Sequence, residues 1–189
     1  MLTASNQRGF SLLEVMVALV VLSVGLLGVV KLETVAYSST NTAAKRSLAA
    51  LAASSFAASM HVNRGYWNGT DPPGATIAII GATVAVTAGA PVLGPLVGAP
   101  QDCTLTSTTL PCQPVVMAAY DLQKWATALN LLLPNVRAAV DCGVQTPVSC
   151  TINILWSENV VNINTEQSAT TASATTPIDY PSYTLFVEP

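Results

Sequence analysis

Few side chains in this chain can do chemistry, and their spacing does not bring them together. The single histidine, His61, has no cysteine or second histidine near it in sequence. There is no Ser-x-x-Lys or G-x-S-x-G nucleophile site and no phosphate-cradling glycine loop. Asp71, Asp102, Asp121, Asp141 and Asp179 are dispersed. Asp102 beside Cys103 and Asp141 beside Cys142 suggest calcium, but the D-x-[DN]-x-[DN]-G spacing of a calcium loop is absent. The four cysteines form two close pairs, Cys103/Cys112 and Cys142/Cys150. Zinc ribbons set the cysteines of a pair two to four residues apart, and these spacings are about three times wider. Disulfides are the better reading, with three connectivities open. Pairing of neighbours, Cys103–Cys112 and Cys142–Cys150, staples one local loop each and is favoured. Such bonds imply an oxidising compartment, the periplasm or cell surface. These residues predict no enzyme, no cofactor and no metal.

The remaining chemical oddity is Glu14. It is the only ionisable residue in FSLLEVMVALVVLSVGLLGVV, from Phe10 to Val30. At 1.5 Å per residue this run spans about 31 Å, enough to cross a bilayer core. A secretory signal would have a shorter apolar region and a small-residue cleavage site near its end; neither is present, so the segment reads as a retained anchor. Arg8 lies before it and no acid does, which favours a cytoplasmic N-terminus. A carboxylate inside such a helix is costly. Either it reaches the headgroups or it has a cationic partner. If the chain is cut between Gly9 and Phe10, the new α-amine of Phe10 is that cation, one helical turn from Glu14.

Gly9, Phe10, Ser11, Leu12, Leu13 and Glu14 resemble the class III signal of type IV prepilins, G-F-[ST]-L-[IL]-E. The resemblance implies cleavage after Gly9 by a membrane-embedded prepilin peptidase and N-methylation of Phe10. It also implies a role for Glu14 in recruiting and registering subunits.

The elements that follow must carry an exported domain. Hydrophobic residues make up 51% of the chain and charged residues 9%, against roughly 25% charged in soluble domains. The seven basic residues are scattered and the net charge is -3, so no nucleic-acid face is expected. No proline interrupts the chain before Asp71, and the helix is expected to continue to about His61. Leu32, Val35, Ser39, Thr42, Arg46, Ala49, Ala53 and Phe56 form a mixed stripe; Leu48, Leu51, Ala52, Ser55 and Phe56 form a better apolar face. Residues 64–69, Arg64-Gly65-Tyr66-Trp67-Asn68-Gly69, are expected to end the helix, with Gly65 as the C′ residue. The uncharged stretch from Pro72 to Gln101 is long enough for a second span, but Gly81, Gly89, Pro91, Gly94, Pro95 and Gly98 interrupt it. Two short strands, near Ala75–Ile80 and Thr83–Thr87, followed by a loop, are expected instead. After Cys112 an amphipathic helix of about five turns should stop at Pro134. Strands at Val136–Cys142 and Ser149–Trp156 form a hairpin around Gly143–Val148. Thr165–Pro177 reads as a loop and Ser182–Val187 as a last strand.

In this half, Ala119, Asp121-Leu122, Trp125, the Leu131–Pro134 end and the strand closing on Trp156 are similar to the type IV pilus modification proteins, the PilV-type minor pilins. Asn135 and Val136 stand where that family often has glycine-rich residues. The fold expected is α+β and type IV pilin-like: a long N-terminal α-helix, half in the membrane and half periplasmic, packed on a small antiparallel sheet. The organisation expected is a leader at 1–9, a transmembrane and assembly helix at 10–30, the periplasmic half of the helix at 31–64, and a disulfide-stapled periplasmic domain at 65–189. The function implied is that of a minor pilin that helps prime pilus assembly. Its partners would be other pilins and minor pilins through the N-terminal helix, prepilin peptidase, the inner-membrane assembly platform and membrane lipid. A type II secretion pseudopilin shares the same N-terminus, and an anchored periplasmic binding protein or adhesin is the reading from a different class. The location expected is the inner membrane, single pass with the C-terminal domain periplasmic, and then the pilus.

Overall fold

A computed structural model describes residues 11–69, 74–99, 101–104, 112–159 and 178–189. The chain divides into two compact units, Met1–Asn41 and Thr42–Pro189. One helix, α1 (Leu12–Val62), begins in the first and ends in the second.

In the first unit the described residues of α1 are helical from Leu12 onward and nearly all exposed, Leu and Val included. In the second, α1 buries Ala49, Ala52, Ala53, Phe56, Ala57 and Met60. That spacing is the i, i+3, i+4 stripe of a core-facing helix. It departs from the expected face at Leu51, which is 66% exposed. Leu51 sits about 100° around the helix from Ala52. The small alanines, not the leucine, are what let neighbouring elements approach. The helix ends at Val62, and Gly65 is not its cap: residues 64–67 form a second short helical turn, α2 (Arg64–Trp67). Asn63, between the two, donates its side-chain N–H to the Pro114 carbonyl (2.7 Å). This ties the end of α1 to the start of a later helix.

Five antiparallel strands follow: β1 (Thr76–Ile80), β2 (Thr83–Ala88), β3 (Arg137–Cys142), β4 (Cys150–Leu155) and β7 (Ser182–Val187), in the spatial order β2-β1-β3-β4-β7. A two-stranded ribbon, β5 (Glu158–Asn159) with β6 (Ile178–Asp179), stands beside them in sequence. Register aligns the apolar positions. Val86, Ile77, Val140, Ile152 and Leu185 form one row across all five strands; Val84, Ile79, Ala138, Ile154 and Tyr183 form the next. Alternation in each strand sends these inward and sends Thr76, Asp141, Thr151 and Phe186 to the other face. The Pro72–Gln101 stretch therefore forms a β1–β2 hairpin in the core, with Gly81 at positive φ in its turn. Its tail, expected as a loop, forms the short helix α3 (Leu93–Val97), because Leu93 and Val97 are buried one turn apart. Helix α4 (Pro114–Leu132) starts with proline in its first turn and stops just before Pro134. The fold is α+β: a long N-terminal helix on a small antiparallel sheet, a pilin-like arrangement. The Thr165–Pro177 loop lies outside the described residues.

Candidate functional site

At the start of α1, the Ser11 carbonyl accepts the N–H groups of Glu14 (3.0 Å) and Val15 (3.3 Å). Ser11 is therefore the boundary residue and Glu14 lies in the first turn. There the unpaired N–H groups and the helix dipole favour a negative charge. The Ser-x-x-Glu spacing is a sequence signature of such a helix start. Gly9 and Phe10 lie outside the described residues.

The helix then presents Leu12, Leu13, Val15, Met16, Val17, Leu19, and on to Val30, each at least 49% exposed. Its apolar window has mean hydropathy 2.6, and α1 is the one helix among the described residues long and apolar enough to cross a membrane. The hydroxyls of Ser23 and Thr34 are satisfied within the helix. Ser23 donates to the Leu19 carbonyl (2.7 Å) and Thr34 to that of Val30 (2.9 Å). Such bonding suits a segment without water. Among the described residues, a Cβ added at Gly25 or Gly28 would meet nothing within 4 Å.

The cysteines belong to the other unit. Cys103 and Cys112 are bonded, as are Cys142 and Cys150, and no cysteine is free. Cys142 and Cys150 face each other across β3 and β4 with their Cα atoms 4.0 Å apart. Gly143 donates to Ser149 (2.8 Å) one step beyond. Alternation makes the cysteine pair a non-hydrogen-bonded one, the closer kind, so the bond closes the end of the hairpin on the core face.

The mid-chain motif turns out to be a docking device. Leu122, Trp125 and Leu129 are buried on α4. Trp125 stacks on Phe56 of α1 (4.4 Å between ring centroids) and donates its indole N–H to the Ala52 carbonyl (2.9 Å). Phe56 also takes Trp67 edge-on (5.7 Å). Trp156, just past β4, is buried and donates to Glu158 (2.8 Å), whose other oxygen lies 3.8 Å from Arg46 of α1. Asp121, half-buried on α4, has its carboxyl pushed above the ordinary range by desolvation. His61 is exposed at the end of α1. Among the described residues no three carboxylate, histidine or cysteine groups converge as a metal site would need.

Residues 4–30 match the family model of the prokaryotic N-terminal methylation motif. That motif supports a type IV pilin-like protein. It suggests a structural subunit, processing by prepilin peptidase and association with other pilins. With the long apolar helix it fits inner-membrane anchoring and a periplasmic domain. The match ends at residue 30 and carries no information about the mid-chain resemblance. Neither a curated protein nor a solved structure matches the chain significantly.

Proposed function

We propose that this chain is a minor pilin of a type IV pilus that helps to prime assembly and enters the fibre. The observation that carries the reading is the methylation motif at residues 4–30, running into a helix whose apolar residues from Leu12 to Val30 are exposed. In this reading residues 1–9 are a leader, cut after Gly9, and Phe10 becomes an N-methylated terminus. Residues 10–30 anchor and assemble, 31–64 carry the helix into the periplasm, and 65–189 form the stapled periplasmic domain.

Glu14 gains its purpose from the cut. The new amine at Phe10, four positions before it in sequence, supplies the cation a membrane carboxylate needs, from the same subunit or a staggered neighbour. The resemblance of Ala119, Asp121-Leu122 and Trp125 to PilV-type pilins is what favours a minor subunit. Intact mass spectrometry of protein from its native membrane tests the reading. A chain beginning at N-methyl-Phe10 is expected; one that keeps Met1, or is cut near residue 30, overturns it. Deletion then separates this role from a pseudopilin: loss of pili and twitching supports the pilus, and loss of exoprotein secretion alone assigns the secretion system.

A further inference from the structure

The two disulfides close loops of nearly equal length, with sequence separations of 9 and 8 residues. Loop closure therefore favours both bonds by nearly the same amount, and any difference in their chemistry comes from their surroundings. Those surroundings differ. Cys142 and Cys150 belong to the hydrophobic core, 5% and 0% exposed. Cys103 and Cys112 are partly exposed and stand outside that core. Asp102, beside Cys103, lines an open cleft with Tyr120 and Lys124, so solutes reach the surface next to the bond. Exchange begins when a thiolate attacks a disulfide sulfur, and access limits that attack. Cys103–Cys112 is accessible in the folded chain. Cys142–Cys150 is reached only after the β3–β4 hairpin opens.

The two ends of the accessible bond are also unlike. Cys112 stands two positions before Pro114, the first residue of α4. The N–H groups of a helix's first turn lack partners within the helix, and its dipole favours negative charge there. Among the described residues nothing at the start of α4 meets that preference: its first turn holds no acidic side chain, and Gln113 makes no side-chain capping bond. A thiolate at a helix start is stabilised, and a stabilised thiolate leaves faster. Cys103 has the opposite neighbour. The Asp102 carboxylate accepts the Thr104 N–H (3.0 Å) and is held next to it, and a nearby negative charge disfavours a thiolate.

We infer that Cys103–Cys112 is a thiol–disulfide exchange site, opened by a dithiol and able to close again, while Cys142–Cys150 stays shut in the folded chain. One thiolate of the dithiol bonds to Sγ of Cys103; the Sγ–Sγ bond breaks and Cys112 leaves with the electron pair. The second thiolate of the dithiol then attacks its own sulfur in the mixed disulfide and releases Cys103. The dithiol ends as a disulfide, and its two protons end on Cys103 and Cys112. The fold outlasts the step, because neither sulfur is part of the core and α4 keeps other ties to α1. Asn63 still holds the Pro114 carbonyl, and Trp125 still stacks on Phe56. The exchange lies wholly in the second unit and does not depend on how the N-terminus is processed.

The full chain in detergent micelles, treated with dithiothreitol, tests this. Samples quenched in acid, alkylated and mapped by mass spectrometry should show Cys103 and Cys112 labelled together, about tenfold or more faster than Cys142 and Cys150. Circular dichroism should be unchanged while only the first bond is open. Excess glutathione, a monothiol that cannot complete the second step, should be trapped on Cys103 and not on Cys112. Gln113→Asp puts a carboxylate at the start of α4 and should raise the dithiothreitol concentration for half-opening about two- to fivefold. Opening of both bonds at one rate, or of Cys142–Cys150 first, would overturn the inference. Glutathione on Cys112, or a half-opening concentration indifferent to Gln113→Asp, would overturn the choice of Cys112 as the leaving sulfur.

Discussion

Helix α1 carries two kinds of apolar surface. Between Leu12 and Val30 it shows large side chains on every face, none of them covered. Between Ala49 and Met60 it buries a narrow stripe, mostly alanine, and leaves serines and Leu51 outside. A fully buried leucine or valine is worth about 1.5–3 kcal/mol, so the first stretch leaves a large stabilisation unrealised within this chain. Lipid or neighbouring subunits must supply it. The second stretch has already received its cover, because alanine lets the rings of Phe56 and Trp125 stack close to the helix backbone. One stretch is shaped for an environment and the other for a specific neighbour.

The comparison breaks most visibly at Glu14, the one charge in the uncovered stretch. If that carboxylate serves subunit contacts, Glu14→Val should leave the chain in the membrane and processed, yet remove it from sheared fibres and abolish copurification with other pilins. Insertion itself should improve, since a central carboxylate costs about 2.5–3.5 kcal/mol and one near the end costs less. Normal incorporation of the valine variant would mean the charge only reaches the headgroups. In the covered stretch the largest effect belongs to Trp125→Ala. It removes the ring stacked on Phe56 and the bond to Ala52, and should destabilise the second unit by about 3–5 kcal/mol in denaturant titration. Leu51→Ala, one position away from the buried Ala52, should stay within about 0.5 kcal/mol. Equal losses at the two positions would erase the distinction between the faces.

Much of this contrast was legible in the residues. The apolar run, the β1–β2 and β3–β4 hairpins, the helix stopped by Pro134 and the strand Ser182–Val187 all follow from periodicity and from glycine and proline. What was not legible is what periodicity does not encode. Leu51 looks more apolar than Ala52, yet the neighbours' shape selects the alanine. Gly65 looks like a cap, but the Asn63 bond to Pro114, fifty-one positions away in sequence, carries the chain into another turn. Leu93 and Val97 form a helical turn where the density of glycine and proline suggested a loop. The strand order, which puts β7 last among the described strands of the sheet, depends on a crossover that no local pattern states. At the candidate site the motif was readable as a motif, and Ser11 as the start of α1 came only with the carbonyl that two N–H groups share.

The hairpin staple gives a middle-sized effect in the covered unit. Cys142 and Cys150 close a loop with a separation of 8 residues. In the chain-entropy model such a loop contributes about 2.5 kcal/mol. Replacing both cysteines by alanine should lower the unfolding free energy of the second unit by that amount and leave membrane association unchanged, a second way to show that the two stretches of α1 answer to different surroundings.

The smallest expected effect lies at Asp121, on the helix that covers α1. Its carboxyl is raised by burial, which disfavours the ionised form. The neutral acid is then the form the folded state prefers. A group raised on folding helps stability below its unfolded pKa and loses that help as pH climbs through its folded value. Asp121 should therefore favour the folded unit in acid and weigh against it at neutral pH. Asp121→Asn removes the titration: it should be neutral to the fold below the ordinary carboxylate range and slightly stabilising above it. Because the group is half open to water, the gain should be under about 0.5 kcal/mol. Stability profiles of the two proteins that diverge upward with pH would confirm that desolvation dominates. If instead the asparagine variant is the less stable one at neutral pH, the ionised carboxylate is serving a contact on α4, and the cover over α1 is polar at that point as well as aromatic.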